Sequence, residues 1–198
     1  MTNNIVPQAY KISKQERNKK NEHNSFLIFF TGLSGSGKST LANILEQRLF
    51  KEGINTYVLD GDNIRQGINN DLSFTPEDRT ENIRRIAEIS KLFIDAGVIV
   101  LATFVSPYKK DREFIRKTVG TDTFVEVFVN TSIEECEKRD VKGLYKKVRE
   151  GKIENMTGIS APYEVPETPE VEIRTDTKTV EESVDLLYDA IKGKIGLK

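Results

Sequence analysis

The run FLIFFT over residues 26–31 has no polar break, the mark of a strand buried on both faces of a parallel sheet. Four more apolar runs read the same way: INTYVL (54–59), VIVLATF (98–104), TFVEVFV (123–129) and the shorter VEIRT (171–175). Helical spacing fills the gaps between them. Leu41, Ile44, Leu45 and Leu49 share one face, which Gly53 terminates. A second helix opens with Thr75 as N-cap, Pro76 at the first helical position, and Glu77 and Asp78 at the positive end of its dipole. Its Ile83, Ile86, Ala87, Ser90, Phe93 and Ile94 stay in phase as far as Gly97. The capping box from Thr179 to Glu182 starts the last helix, with Val180, Val184, Leu187, Ala190 and Ile191 facing inward. Alternating strand and helix predicts a three-layer α/β domain around a parallel sheet of about five strands with right-handed crossovers.

Two stretches break this rhythm. Residues 1–24 are expected to be a polar, loosely docked extension ahead of a domain spanning 25–198, with Ile5, Val6, Tyr10 and Ile12 available to a neighbouring surface. Residues 141–170 are rich in Lys, Gly and Pro, poor in core-forming side chains and too long for a plain connection. They read either as a mobile lid over an anionic ligand or as a solvated charged loop.

Composition narrows the chemistry. The 30 basic and 31 acidic side chains of the 198 residues give no overall field to attract nucleic acid or an anionic membrane, so any anion site is local. No run of about 18 apolar residues exists to span a bilayer, nor does the N-terminus have a secretory core, and a cytoplasmic location is the expectation. The single cysteine, Cys136, excludes an internal disulfide and reads as a partly buried helix thiol. His23, the sole histidine, sits in the polar tail, so a catalytic base would have to be a carboxylate.

The segment from Gly32 through Leu33, Ser34, Gly35, Ser36, Gly37 and Lys38 to Ser39 fits GxxxxGK[ST] and lies between a predicted strand and a predicted helix. Its glycines let backbone N–H groups converge on phosphate oxygens, the helix that takes in Thr40 adds its positive end, Lys38 reaches the β- and γ-phosphates, and Ser39 ligates Mg²⁺. ATP and magnesium are therefore expected. No acid follows VIVLATF; Asp60 and Asp62 instead end INTYVL, where strand ends share a ligand crevice, although a turn or cap would also use an aspartate. Arg65, Arg79, Arg84 and Arg85 gather downstream around Asn82 and suit an anionic acceptor, with Arg84 and Arg85 equally readable as solvated helix residues. Phe74 is either core or a face for stacking a base.

FTGLSGSGKST, LDGDNIR, the spaced Arg79 and Asn82, FVSPY, RDVKGLYKK and TGISAPYE occur in the order found in adenylylsulfate kinases, a family this sequence resembles from Phe26 onward. The resemblance implies a P-loop NTPase fold and transfer of the γ-phosphoryl of ATP to the 3′-hydroxyl of adenosine 5′-phosphosulfate. It implies that Asp62 orients or deprotonates that hydroxyl and that Asp60 meets magnesium-bound water. It gives Arg65, Phe74, Arg79, Asn82 and Ser106 to the acceptor, and Arg139 and Lys142 to a mobile lid and the ATP side. It also implies a homodimer. Val141, Glu154 and Met156 depart from the common pattern, Met156 standing where a phenylalanine usually closes over the adenine. The readings that compete are a kinase for another nucleoside 5′-anhydride, a nucleotide-dependent regulatory module, and a degenerate partner of a fused sulfurylase.

Overall fold

The computed structural model describes residues 6–196, so Ile5 lies outside the described residues. Five strands form one parallel sheet in the order β2-β3-β1-β4-β5: β1 Leu27–Thr31, β2 Thr56–Asp60, β3 Ile99–Thr103, β4 Phe124–Val129 and β5 Val171–Ile173. Four of them each lie inside one of the apolar runs, and β2 runs one residue past INTYVL to take in Asp60. The central β1 is buried at every position because both its faces are covered. Ile28 and Phe30 turn toward the layer formed by α2 (Lys38–Lys51) and α8 (Val180–Ile195). Leu27 and Phe29 turn toward α4 (Pro76–Asp95) and α5 (Lys109–Val119), where Phe29 stacks between Phe104 and Phe124. The caps at Thr75 and Thr179 form as the sequence predicts, each hydroxyl accepting from a backbone N–H three residues on.

The short elements carry the loops that matter. α3 (Gly61–Arg65) follows β2 directly, with the Asp60 carboxylate as its N-cap. α6 (Ile133–Arg139) and α7 (Leu144–Arg149) bracket the start of the long 141–170 segment. That segment has more core than its composition suggests: Tyr145 and Met156 pack with Cys136, and Leu33, Ile133, Leu144, Val148 and Ile159 close around them. Its far end is held by Arg112, which donates to the carbonyls of Ser106 (2.7 Å) and Glu164 (2.6 Å) and pairs with Glu126 at 2.9 Å.

The N-terminal extension is also more tightly docked than its polarity suggests. Lys14–Asn21 forms α1, opened by a capping box between Ser13 and Glu16. α1 buries none of its own residues, yet it is tied to the turn after α4 by Asn21 donating to the Gly97 carbonyl (3.0 Å) and to the approach to β1 by Asn18 accepting from Ser25 (2.9 Å). His23, expected in a polar tail, is instead buried: its Nε2 accepts from the Asn55 N–H, so the proton sits on Nδ1 and meets the Asn24 carbonyl. Val6, Tyr10 and Ile12 remain exposed. Among the described residues no helix is long and apolar enough to cross a membrane.

Candidate functional site

The carboxyl ends of β1, β2 and β3 open onto a cleft of about 1220 Å³. At one end is the glycine-rich loop between β1 and α2. Gly32 has φ +147°, and a Cβ there would stand 2.5 Å from the Val129 carbonyl oxygen, so only glycine lets the loop pass this close to β4. Ser34, Gly35, Gly37, Lys38, Ser39 and Thr40 line the cleft; Gly32, Leu33 and Ser36 lie behind them as the loop's frame. Ser36 is fully buried, and its carbonyl accepts from Thr131 (3.1 Å) and Thr175 (2.9 Å).

Lys38 is folded onto the loop, donating to the carbonyls of Gly32 (3.0 Å) and Leu33 (2.7 Å). Burial lowers its pKa from 10.5 to about 8, outweighing the attraction of Asp60 and Asp62. Ser39 Oγ donates to Asp60 Oδ2 at 2.7 Å, and Thr103 donates to the same oxygen at 2.8 Å. Burial pushes the Asp60 carboxyl up, but the Ser39 and Thr103 hydroxyls and the N–H groups of Asp62 and Asn63 prevail and hold it below the usual carboxylate value. An ionised carboxylate beside a hydroxyl suits a hard cation that takes oxygen ligands and keeps most of its waters. The described residues contain no group of three or more His, Cys, Asp or Glu able to cage a metal unaided, so such an ion would also need ligand oxygens.

Asp62 is largely exposed and forms an ion pair with Lys142, which reaches over from the 141–170 segment. Farther along the cleft, the Arg65 guanidinium lies 4.3 Å over the Phe74 ring and donates to the carbonyls of Leu72 and Ser73. Burial and the neighbouring Arg79 lower the Arg65 pKa. Phe74 is 62% exposed, which removes the core reading. Arg79 donates to the Phe74 carbonyl (3.0 Å), to the Asn155 carbonyl (2.5 Å) and to the Thr157 hydroxyl, joining the start of α4 to the 141–170 segment. Asn82, buried on α4, accepts from Asn69 at 2.8 Å. Arg84 and Arg85 stay outside the cleft, both paired with Glu81.

Ser106 sits at φ +41° with its side chain buried and its Oγ without a partner among the described residues. A strained residue with an unmet hydroxyl in a cleft marks a place where a ligand completes the hydrogen bonding. Met156 lines the same cleft while packing against Cys136 and Tyr145. Arg139 spans from the phosphate loop to the turn after β5, donating to the Thr175 carbonyl (2.8 Å) and hydroxyl (3.0 Å) and pairing with Glu135. The sequence reading missed Thr103 and Thr175. Thr103 faces Asp60 because the parallel register sets them opposite, a relation visible only once β2 and β3 are known neighbours. The sequence reading also missed Asn69.

The family model for adenylylsulphate kinase matches residues 24–174. An adenylyl-sulfate kinase of Staphylococcus epidermidis is 53% identical over 191 residues, covering 96% of each chain. One from Clostridium acetobutylicum is also 53% identical, covering 96% of this chain and 94% of its own. Among solved structures, the Mycobacterium tuberculosis APS kinase in complex with AMPPNP and APS is similar at a TM-score of 0.82 and 42% identity, covering 85% of this chain and 98% of that one. On sequence and fold together, this chain belongs to the adenylylsulphate kinase family.

Proposed function

We propose that the chain transfers the γ-phosphoryl group of ATP to the 3′-hydroxyl of adenosine 5′-phosphosulfate, releasing ADP and the 3′-phosphorylated product. One cleft holds a phosphate loop, two carboxylates at a strand end and an arginine-flanked aromatic face, and this juxtaposition carries the reading. The loop's N–H groups and Lys38 bind the triphosphate, while Arg139 and Thr175 border its nucleoside end. Ser39 and Asp60 would hold Mg²⁺, which when bound neutralises charge between the β- and γ-phosphates. Arg65, Arg79 and Asn82 take the phosphosulfate side of the acceptor, and Phe74 and Met156 cover its base.

Asp62 accepts the hydrogen bond of the attacking hydroxyl and aligns it with the γ-phosphorus. Lys142 then exchanges its contact with Asp62 for the transferring group. A loose phosphoryl-transfer transition state needs such alignment and charge neutralisation more than a covalent relay, so Ser106 acts beside the acceptor in a direct, in-line transfer. The same reading takes the chain to be a cytoplasmic homodimer. A hexameric APS kinase from Thiobacillus denitrificans supports assembly in general, although this chain covers only 32% of that one.

ADP release from ATP and Mg²⁺, measured with and without adenosine 5′-phosphosulfate, tests the proposal. Release should depend on the acceptor and fall about 10²- to 10⁴-fold in Asp62→Ala, the scale of a lost general base. Release indifferent to the acceptor would end the kinase reading, and near-parental turnover in the variant would remove Asp62 from its role.

A further inference from the structure

In the connection between α3 and α4, Leu72 is half-buried and one residue, Asn69, has no accessible surface, while the rest is exposed. A fully buried amide is costly unless its groups are paired. Here they are: the Asn69 backbone N–H donates to the Ile64 carbonyl (3.0 Å), Nδ2 donates to Asn82 Oδ1 (2.8 Å), and Oδ1 accepts from Arg85 (3.4 Å). A guanidinium has only donors, so Arg85 dictates which end of the Asn69 amide is the carbonyl. The other end is then the NH₂, and it selects the carbonyl of Asn82 by the same logic. Arg85 is itself fixed by two hydrogen bonds to Asp71 (2.6 and 2.7 Å) and one to the Ile68 carbonyl (3.1 Å). Asn82 lines the cleft, and its Nδ2 has no protein partner among the described residues.

We infer that Asn69 is a positioning residue that sets the polarity of Asn82, so that the cleft offers the acceptor N–H donors and not a carbonyl. The relay runs from Asp71 through Arg85 and Asn69 to Asn82. It selects a substrate group that carries a free lone pair at this point, such as a phosphosulfate oxygen, and disfavours one that donates. The inference rests on the reading that Asn82 meets adenosine 5′-phosphosulfate.

Asn69→Asp replaces the donor with a second acceptor, so that Asn82 turns its NH₂ to the new carboxylate and its carbonyl into the cleft. KM for adenosine 5′-phosphosulfate should rise about 10- to 100-fold, the scale of a charge-assisted hydrogen bond lost, while KM for ATP moves less than about twofold. Asn69→Leu removes the pairing without imposing the opposite polarity and should raise the acceptor KM about tenfold less. Equal effects of the two variants mean that Asn69 merely packs the loop, and overturn the inference. Asn82→Leu separates the layers of the argument. An unchanged acceptor KM in that variant removes Asn82 from the acceptor site and the inference with it, whereas a raised KM there beside a parental value in Asn69→Asp removes the inference alone.

The parent chain gives a readout that depends on no variant folding. In nitrogen-15-labelled protein without ligand, the side-chain NH₂ of Asn69 should exchange slowly, and that of Asn82 should shift when adenosine 5′-phosphosulfate is added. A slowly exchanging Asn82 NH₂ beside a fast Asn69 NH₂ would show the reverse polarity and overturn the inference.

Discussion

ATP binding should draw a proton onto Lys38. Burial has brought this ammonium from 10.5 to about 8, and without nucleotide its donors reach, among the described residues, only the Gly32 and Leu33 carbonyls and, at 3.5 Å, the Ser36 hydroxyl. That depression is worth about 3 kcal/mol against the charged form. A triphosphate supplies the missing negative charge and restores the pKa to above about 10. The fraction of free chain lacking this proton is about 0.1 at pH 7, about 0.5 at pH 8 and about 0.9 at pH 9, and binding must take up that fraction. ATP is fully ionised across the upper part of this range, so the uptake belongs to the protein. Titration calorimetry with AMPPNP and Mg²⁺ in two buffers of different ionisation enthalpy measures it at each pH. Affinity should also weaken above pH 8, approaching tenfold per pH unit. The folding term has the opposite sign: between about pH 8 and 10.5 the unfolded chain binds more protons at Lys38, so this group makes the ligand-free fold more stable as pH rises through that window. Uptake below about 0.2 at pH 9, or equal uptake in Lys38→Gln, would refute the reasoning.

Two further outcomes follow from the same cleft. Gly32→Ala places a Cβ 2.5 Å from the Val129 carbonyl at φ +147°; a cost of about 2 kcal/mol or more should lower the melting temperature by roughly 5 °C and abolish nucleotide binding in calorimetry. Lys142→Met breaks the ion pair to Asp62, in which both side chains are more than half exposed, so thermal unfolding should shift by less than about 2 °C. Its kcat should nevertheless fall by about tenfold or more if, as proposed, Lys142 moves to the transferring group in the transition state, and an unchanged kcat would make the contact a resting one only.

What the sequence made legible follows from how each feature is built. The strands could be found because a strand covered on both faces needs an unbroken apolar run, and FLIFFT and VIVLATF have no other use. INTYVL is less regular for a reason the structure supplies: β2 is an edge strand, and Tyr57 lies half-exposed on its rim, stacked on Phe93 at 4.9 Å. α5 escaped because two of its three buried residues are Asp111 and Arg112, which no hydrophobic template counts as inward. Arg112 is buried only because Glu126 and the carbonyls of Ser106 and Glu164 come to it from other parts of the chain. α1 escaped because it buries nothing and is held by its polar ends.

The same distinction divides the site. The phosphate loop is contiguous, and its chemistry can be read from spacing. The Ser39–Asp60–Thr103 cluster joins three elements, and only the parallel register brings Thr103 opposite Asp60. Spacing alone therefore offered two equivalent acids in LDGDNIR. The fold separates them: Asp60 turns back to cap α3 and meet Ser39, while Asp62 stands exposed and engages Lys142. A pattern can nominate carboxylates at a strand end, but their chemical inequivalence arises from the neighbouring strand and from the 141–170 segment, which a local reading does not contain.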